Sequence, residues 1–140
     1  LQWPAKQLEA LRGKHWRMAG RIEGPKDLGF QAPALEVQLE LQTDRELELT
    51  LHHSADGSEL AKLIYSPAQG KLWLEGSLMV EPQPQMPLEA SPSLALQIFL
   101  DASTIEVFCQ GQALSTRIYP QQTNLGLGLN GTARIERGQL

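Results

Sequence analysis

A chain of 140 residues is one domain's worth, and a chain of that size buries about 68–70% of the surface its unfolded form exposes, enough for a core without disulfides. Hydrophobic residues at 41% and charged residues at 20% exclude a disordered chain, and 12 basic against 16 acidic residues, net charge -4, leave no electrostatic footprint for nucleic acid or an anionic membrane. No apolar run approaches the roughly 20 residues of a spanning helix, and the single cysteine, Cys109, excludes an internal disulfide and a multi-cysteine metal site.

The first residue is Leu1 rather than Met, so the chain reads as processed, trimmed or cut from something longer. Ala5, Leu8 and Leu11 share a face at spacing three, which makes Ala5–Arg12 the one helical candidate, too short to stand alone. Residues 13–33 are glycine-rich and mixed, and no strand can be placed there with a clear period. From Leu35 the signal is alternation. Leu35, Val37, Leu39 and Leu41 point one way against Glu36, Gln38 and Glu40, and Leu47, Leu49 and Leu51 repeat the pattern after a turn at Thr43–Arg45. Leu and Glu both favour helix, but a period of two outweighs their propensity.

Ser54-Ala55-Asp56-Gly57 is a turn with an Asp-Gly corner, followed by a strand over about Glu59–Tyr65, a turn at Ser66–Gly70 and a short strand at Lys71–Leu74. Pro82, Pro84, Pro87 and Pro92 make Glu81–Pro92 a long loop with at most an edge segment. Leu94, Leu96, Ile98 and Leu100 alternate again, as do Ile105, Val107 and Cys109. A two-residue turn at Ala102-Ser103 pairs Leu100 with Ile105 and Ile98 with Val107, with every aliphatic on one face. Further strands fall at about Ala113–Tyr119 and Leu125–Leu129, and Asn130-Gly131 reads as a hairpin returning through Thr132–Glu136. Some nine short strands with almost no helix mean an all-β fold, sandwich or barrel, in a single domain over residues 1–140.

The search for chemistry is nearly empty. His52 and His53 are adjacent on a strand, point to opposite faces and cannot chelate one ion together, so they read as ordinary surface histidines, like His15. Cys109 lies on the inward face of its strand, a structural thiol rather than a nucleophile. Gly126 and Gly128 alternate with leucines and lack the strand-to-helix turn of a phosphate cradle. Asn130-Gly131-Thr132 matches a glycosylation acceptor that the hairpin already explains. Glu36, Glu40, Glu46 and Glu48 read as solvated strand faces. These readings leave no catalytic residue, no metal ligand set and no cofactor.

Leu96–Pro120 reads LQIFLDASTIEVFCQGQALSTRIYP. This resembles the C-terminal β-sandwich of glycoside hydrolase family 32, the invertases, levanases, inulinases and sucrose-6-phosphate hydrolases. Ile98-Phe99, Asp101, Ser103, Glu106-Val107-Phe108 and Thr116-Arg117-Ile118-Tyr119-Pro120 fall on the family's motif. Gln2, Pro4, Leu8 and Leu11-Arg12 look like the segment leaving the catalytic domain, with Gln7 in place of an acid. Ser54–Glu59 looks like the family's hairpin turn, and in Leu74-Glu75-Gly76-Ser77 the family's usual Arg is Gly76.

The resemblance implies an antiparallel two-sheet β-sandwich of jelly-roll, concanavalin-like type. It implies that the nucleophilic Asp and the acid/base Glu of a retaining β-fructofuranosidase lie in an N-terminal five-bladed propeller, and that residues 1–12 are the connector from it. This chain has no Asp-Pro and no Glu-Cys of the kind that carry those residues. The expected role is therefore a non-catalytic module that supports the propeller and contributes to homo-oligomer contacts. Its expected partners are the propeller of the same polypeptide and a second copy, not nucleic acid or membrane. The alternative is a free-standing carbohydrate-binding sandwich. The expected interdomain contact is Trp3, Pro4, Leu8, Leu11 and Arg12. A structural pair is expected at Glu106 and Arg117, set directly opposite by a four-residue loop, Gln110–Ala113. The lone cysteine and the missing leader favour cytoplasm slightly over secretion, with the compartment left open.

Overall fold

The computed structural model describes residues 17–22, 26–27, 35–79, 84–91, 93–101, 103–131 and 133–139. Among them are twelve strands and no helix. The candidate helix at Ala5–Arg12 lies outside the described residues. In chain order the strands are β1 (Arg17–Ile22), β2 (Lys26–Asp27), β3 (Leu35–Gln42), β4 (Leu47–His53), β5 (Leu60–Ser66), β6 (Lys71–Glu75), β7 (Gln85–Pro87), β8 (Ser93–Leu100), β9 (Thr104–Cys109), β10 (Gln112–Arg117), β11 (Gly128–Asn130) and β12 (Ala133–Gln139). They form two antiparallel six-stranded sheets, one ordered β1-β12-β3-β8-β9-β10 and the other β2-β11-β4-β5-β6-β7. The fold is an all-β sandwich.

The alternating leucines build it. Val37, Leu39 and Leu41 of β3 are fully buried and meet the buried Leu94, Leu96 and Ile98 of β8 in register. Leu47, Leu49, Leu51, Leu63, Leu72 and Leu74 supply the facing layer from the second sheet. Two inner faces interdigitating in this way make a sandwich core about 10 Å thick. Truncating a fully buried leucine such as Leu39 in such a layer costs about 2–5 kcal/mol. The turn at Thr43–Arg45 carries the chain from one sheet to the other, because β3 and β4 lie in different sheets. Among the described residues of the proline-rich loop, the strand found is the short edge strand β7, which pairs with β6.

Two turns differ from expectation. Asn130-Gly131 is not a hairpin: β11 pairs with β2 and β4, whereas β12 pairs with β1 and β3 in the other sheet. A type I′ turn needs positive φ at both central residues; Gly131 has it, at 131°, but Asn130 does not, and the chain instead crosses from one sheet to the other there. The β9–β10 connection is a two-residue turn, Gln110-Gly111, with both residues at positive φ (51° and 74°), rather than a four-residue loop. The β8–β9 register does match the alternation, with Ile98 opposite Val107 and Leu100 opposite Ile105.

Candidate functional site

The stretch that carries the resemblance folds as the three-stranded meander β8-β9-β10. Asp101 organises its first turn. Its carboxylate accepts the backbone N–H groups of Ser103 and Thr104, both at 2.7 Å, while its own N–H donates to the Thr104 carbonyl. Burial opposes ionisation of Asp101, but the bonds from Ser103 and Thr104 together outweigh it and hold its pKa below the ordinary value. The motif's Asp and Ser are thus explained by turn geometry. The tight Gln110-Gly111 turn then moves the next ladder by two residues. Glu106 faces Ser115, and Arg117 faces Thr104. The directly opposed Glu106–Arg117 pair is therefore corrected: the two lie diagonally on the outer face, where only long side chains reach each other. Leu114 and Ile118 are buried, as the alternation requires.

A second cluster is absent from the sequence reading. The β4–β5 turn and residues 121–126, which lead from one sheet to the other, lock together at one end of the sandwich. The Glu59 carboxylate accepts two successive backbone N–H groups, Gln121 at 2.7 Å and Gln122 at 2.8 Å. Asp56 accepts Ser58 N–H at 2.9 Å and the Ser58 and Ser54 hydroxyls at 2.7 and 2.8 Å, and Gln122 Nε2 reaches the same carboxylate. Asn124 bonds the backbone of Leu51 and His53, and Leu125 N–H donates to the His53 carbonyl. Successive N–H groups of this kind form an anion-holding nest. The amide of Gln121 first of all keeps Glu59 below its ordinary pKa, and the Ser58 amide leads in driving Asp56 well below the carboxylate range.

His52 sits behind this latch and is not a surface histidine. A bulge between Thr50 and His52 interrupts the alternation, so Leu51 and His52 are both buried. His52 Nε2 is 3.6 Å from Glu59 Oε1 and, among the described residues, has no hydrogen-bond partner. Burial lowers its pKa, against the raising influence of Glu59, while His53 lowers it further. Partners some 62 residues apart leave no local spacing to read. Only the polar run Gln121-Gln122-Thr123-Asn124 hints that this loop is held by side chains.

Glu36 is a further correction. It lies on the outward face of β3 but is 7% exposed, not solvated. Its Oε1 accepts Gln38 Nε2 at 3.0 Å and Gln97 Nε2 at 2.9 Å, and beside this cluster Phe99 and Phe108 meet edge to face at 6.0 Å. Cys109 is buried and its thiol is pushed up to about 11 by desolvation, which makes it a structural sulfur. Tyr119 is the exposed large hydrophobic side chain among the described residues, at 64%. Trp3, Pro4, Leu8, Leu11, Arg12 and His15 lie outside the described residues. So does Thr132 of the glycosylation triplet, whose Asn130 is exposed.

The carboxylates with described partners are occupied in scaffolding. Asp56, Glu59 and Asp101 hold turns, Glu36 holds two glutamines, Trp73 Nε1 donates to Glu75, and Lys62 sits 3.5 Å from Glu48. Comparison with known proteins places this scaffold. The family model described as glycosyl hydrolases family 32 C terminal matches residues 7–137. Sucrose-6-phosphate hydrolase of Escherichia coli is 31% identical over 158 aligned positions, which take in 100% of this chain and 31% of that protein. Sucrose-6-phosphate hydrolase of Lactobacillus gasseri superposes with a TM-score of 0.75 at 19% identity, over 97% of this chain and 30% of that one. Fructan 1-exohydrolase IIa of Cichorium intybus superposes with a TM-score of 0.75 at 15% identity, over 98% and 37%. The chain thus spans about a third of the length of each of these three proteins.

Proposed function

The chain belongs to glycosyl hydrolases family 32 as a C-terminal domain, and from that premise we propose that it is the non-catalytic β-sandwich module of a longer enzyme acting on β-fructosides, whether sucrose, sucrose-6-phosphate or fructan. The observation that carries this is the family match over residues 7–137, in a chain that aligns along its whole length with only 31% of a sucrose-6-phosphate hydrolase. In this reading the carboxylates that cleave the glycosidic bond belong to a propeller ahead of residue 1, and the sandwich stabilises that propeller. Retaining glycoside hydrolysis needs two carboxyl groups about 5–5.5 Å apart on either side of the bond. The described carboxylates of this chain that have partners spend their lone pairs on backbone amides and on glutamine, serine, lysine and tryptophan side chains.

Docking of the two domains would bury about 600–1,500 Å². Trp3, Pro4, Leu8, Leu11 and Arg12 are the proposed contact, with the exposed Tyr119 as a second anchor. The test compares the isolated chain with the longer protein. Fructose release from sucrose or inulin is expected only from the longer protein. Release by the isolated chain above a heat-killed control, abolished by one Asp or Glu substitution, would sink the reading.

A further inference from the structure

On the face of the β3-β8-β9 sheet that points away from the core, a groove of about 460 Å³ opens among Gln38, Glu40, Ala95, Gln97, Phe108 and Gln110, within the roughly 300–1,000 Å³ of ligand sites. Its origin is readable in the ladder. The exposed Ala95 stands opposite Glu40 and between longer side chains, so a methyl group occupies the place where a larger residue would fill the row. The groove is also organised from behind. Glu36, nine-tenths buried, accepts the amide nitrogens of both Gln38 and Gln97. A carboxylate only accepts, so each amide must turn its nitrogen toward Glu36 and its carbonyl oxygen away. Two carbonyl acceptors and the Glu40 carboxylate therefore border an apolar floor of Ala95 and Phe108, the latter braced edge-on by Phe99. Fixed acceptors beside an apolar surface suit a ligand with hydroxyl donors on one side and C–H groups on the other.

We propose that this outer-face groove binds a neutral oligosaccharide, its hydroxyl groups donating to Gln38, Gln97 and Glu40 and its ring carbons lying on Ala95 and Phe108. The site stands whether or not the parent protein hydrolyses β-fructosides, because it is read on this chain alone.

The test is a titration of the isotope-labelled 140-residue chain with 1-kestose and, separately, with maltotriose, followed by backbone and side-chain amide shifts. Saturable shifts with either sugar, confined to Gln38, Ala95, Gln97, Phe108 and Gln110, with a Kd on the order of 1 mM, support the proposal. Ala95→Leu fills the floor from an exposed position whose side chain makes no hydrogen bond, and should weaken binding at least about tenfold with the thermal melt unchanged. Gln97→Ala should weaken it too, and its melt reports any loss of folding separately. No saturable shifts with either sugar, shifts confined to another surface, or undiminished binding by Ala95→Leu would overturn it. Loss of hydrolysis by the longer protein with groove binding intact would refute the proposed function and leave this site standing.

Discussion

Gly76 occupies a position where the family resemblance leads one to expect arginine, and the backbone explains the exchange. Its φ of 125° is a conformation that L side chains rarely adopt, and a Cβ there would overlap the carbonyl of Leu60, which itself accepts the Leu78 N–H. Gly76→Ala and Gly76→Arg should each lower stability by about 1–3 kcal/mol. This would be read as a lower denaturant midpoint at unchanged slope, and a neutral Gly76→Arg would mean that the strain is absorbed elsewhere. Nothing in the residue string announces such an approach, because it depends on where β5 passes the end of β6. Glu36 was hidden for a related reason. Its place in the alternation correctly puts it on the outward face, but burial there depends on glutamines from two strands. The Glu106–Arg117 pair, expected opposite and found diagonal, gives a second prediction. Arg117 is exposed, so a double-mutant cycle should show a coupling of at most about 0.5 kcal/mol. A coupling well above that would mean that the two side chains meet despite the register.

Strands were legible where period two survives, as in β3, β4, β8 and β9, but β1 and β2 fall in the stretch without a clear period and went unplaced. Connections were legible only where turn chemistry acts locally. The β8–β9 turn obeyed the alternation because Asp101 caps it with its own carboxylate. In β9–β10, a four-residue loop and a two-residue turn differ by two in register, and a shift of two returns every side chain to the same face. The hydrophobic pattern could not choose between them. Asn130-Gly131 failed differently, since a hairpin signal is local while the partner of β12 is β3, over ninety residues back in the chain. The choice at Gln110-Gly111 has a visible cause. Gln110 takes positive φ, unusual for a residue with a Cβ, and its side chain exchanges two hydrogen bonds with the backbone of Glu89, at 2.9 and 3.1 Å. Those bonds tie the proline-rich loop to the turn. Gln110→Ala should keep the backbone strain and lose both bonds, costing about 1 kcal/mol. Gln110→Gly relieves the strain and should cost less by about 1 kcal/mol. Hydrogen exchange should accelerate at the Glu89 amide in both variants, and an unchanged rate would show that the bonds do not hold the loop.

Across the molecule, the all-β class follows from leucines spaced by two, because burial on one face defines half-buried strands, whereas the choice of a two-sheet sandwich over a barrel came from the family resemblance and not from the spacing. The contacts that join its sheets at one end do not follow from any local pattern. There the loop from β10 to β11 is held by Glu59, Asp56 and Asn124, with His52 enclosed behind Glu59 and near His53. This arrangement predicts two separate losses of stability in acid. Burial lowers the His52 pKa, so the folded protein keeps it neutral where the unfolded chain already protonates it, at about pH 6.5. The unfolded state then binds more protons, and stability falls as pH drops from about 6.5 to the folded pKa of His52, beyond which this group adds no further loss. Asp56, Glu59 and Asp101 have depressed folded values. What they contribute is complete above their unfolded pKa of about 4 and disappears as pH falls through the folded values. Thermal melts between pH 8 and 2 should therefore fall in two stages, a small one beginning near pH 6.5 and a larger one below about pH 4. His52→Leu should remove the first stage and leave the second. Glu59→Gln, which turns the acceptor of two backbone amides into an amide, should lower the melt at neutral pH and shrink the second stage. A first stage that persists in His52→Leu would assign it to another group and overturn the view of a histidine held neutral behind the latch.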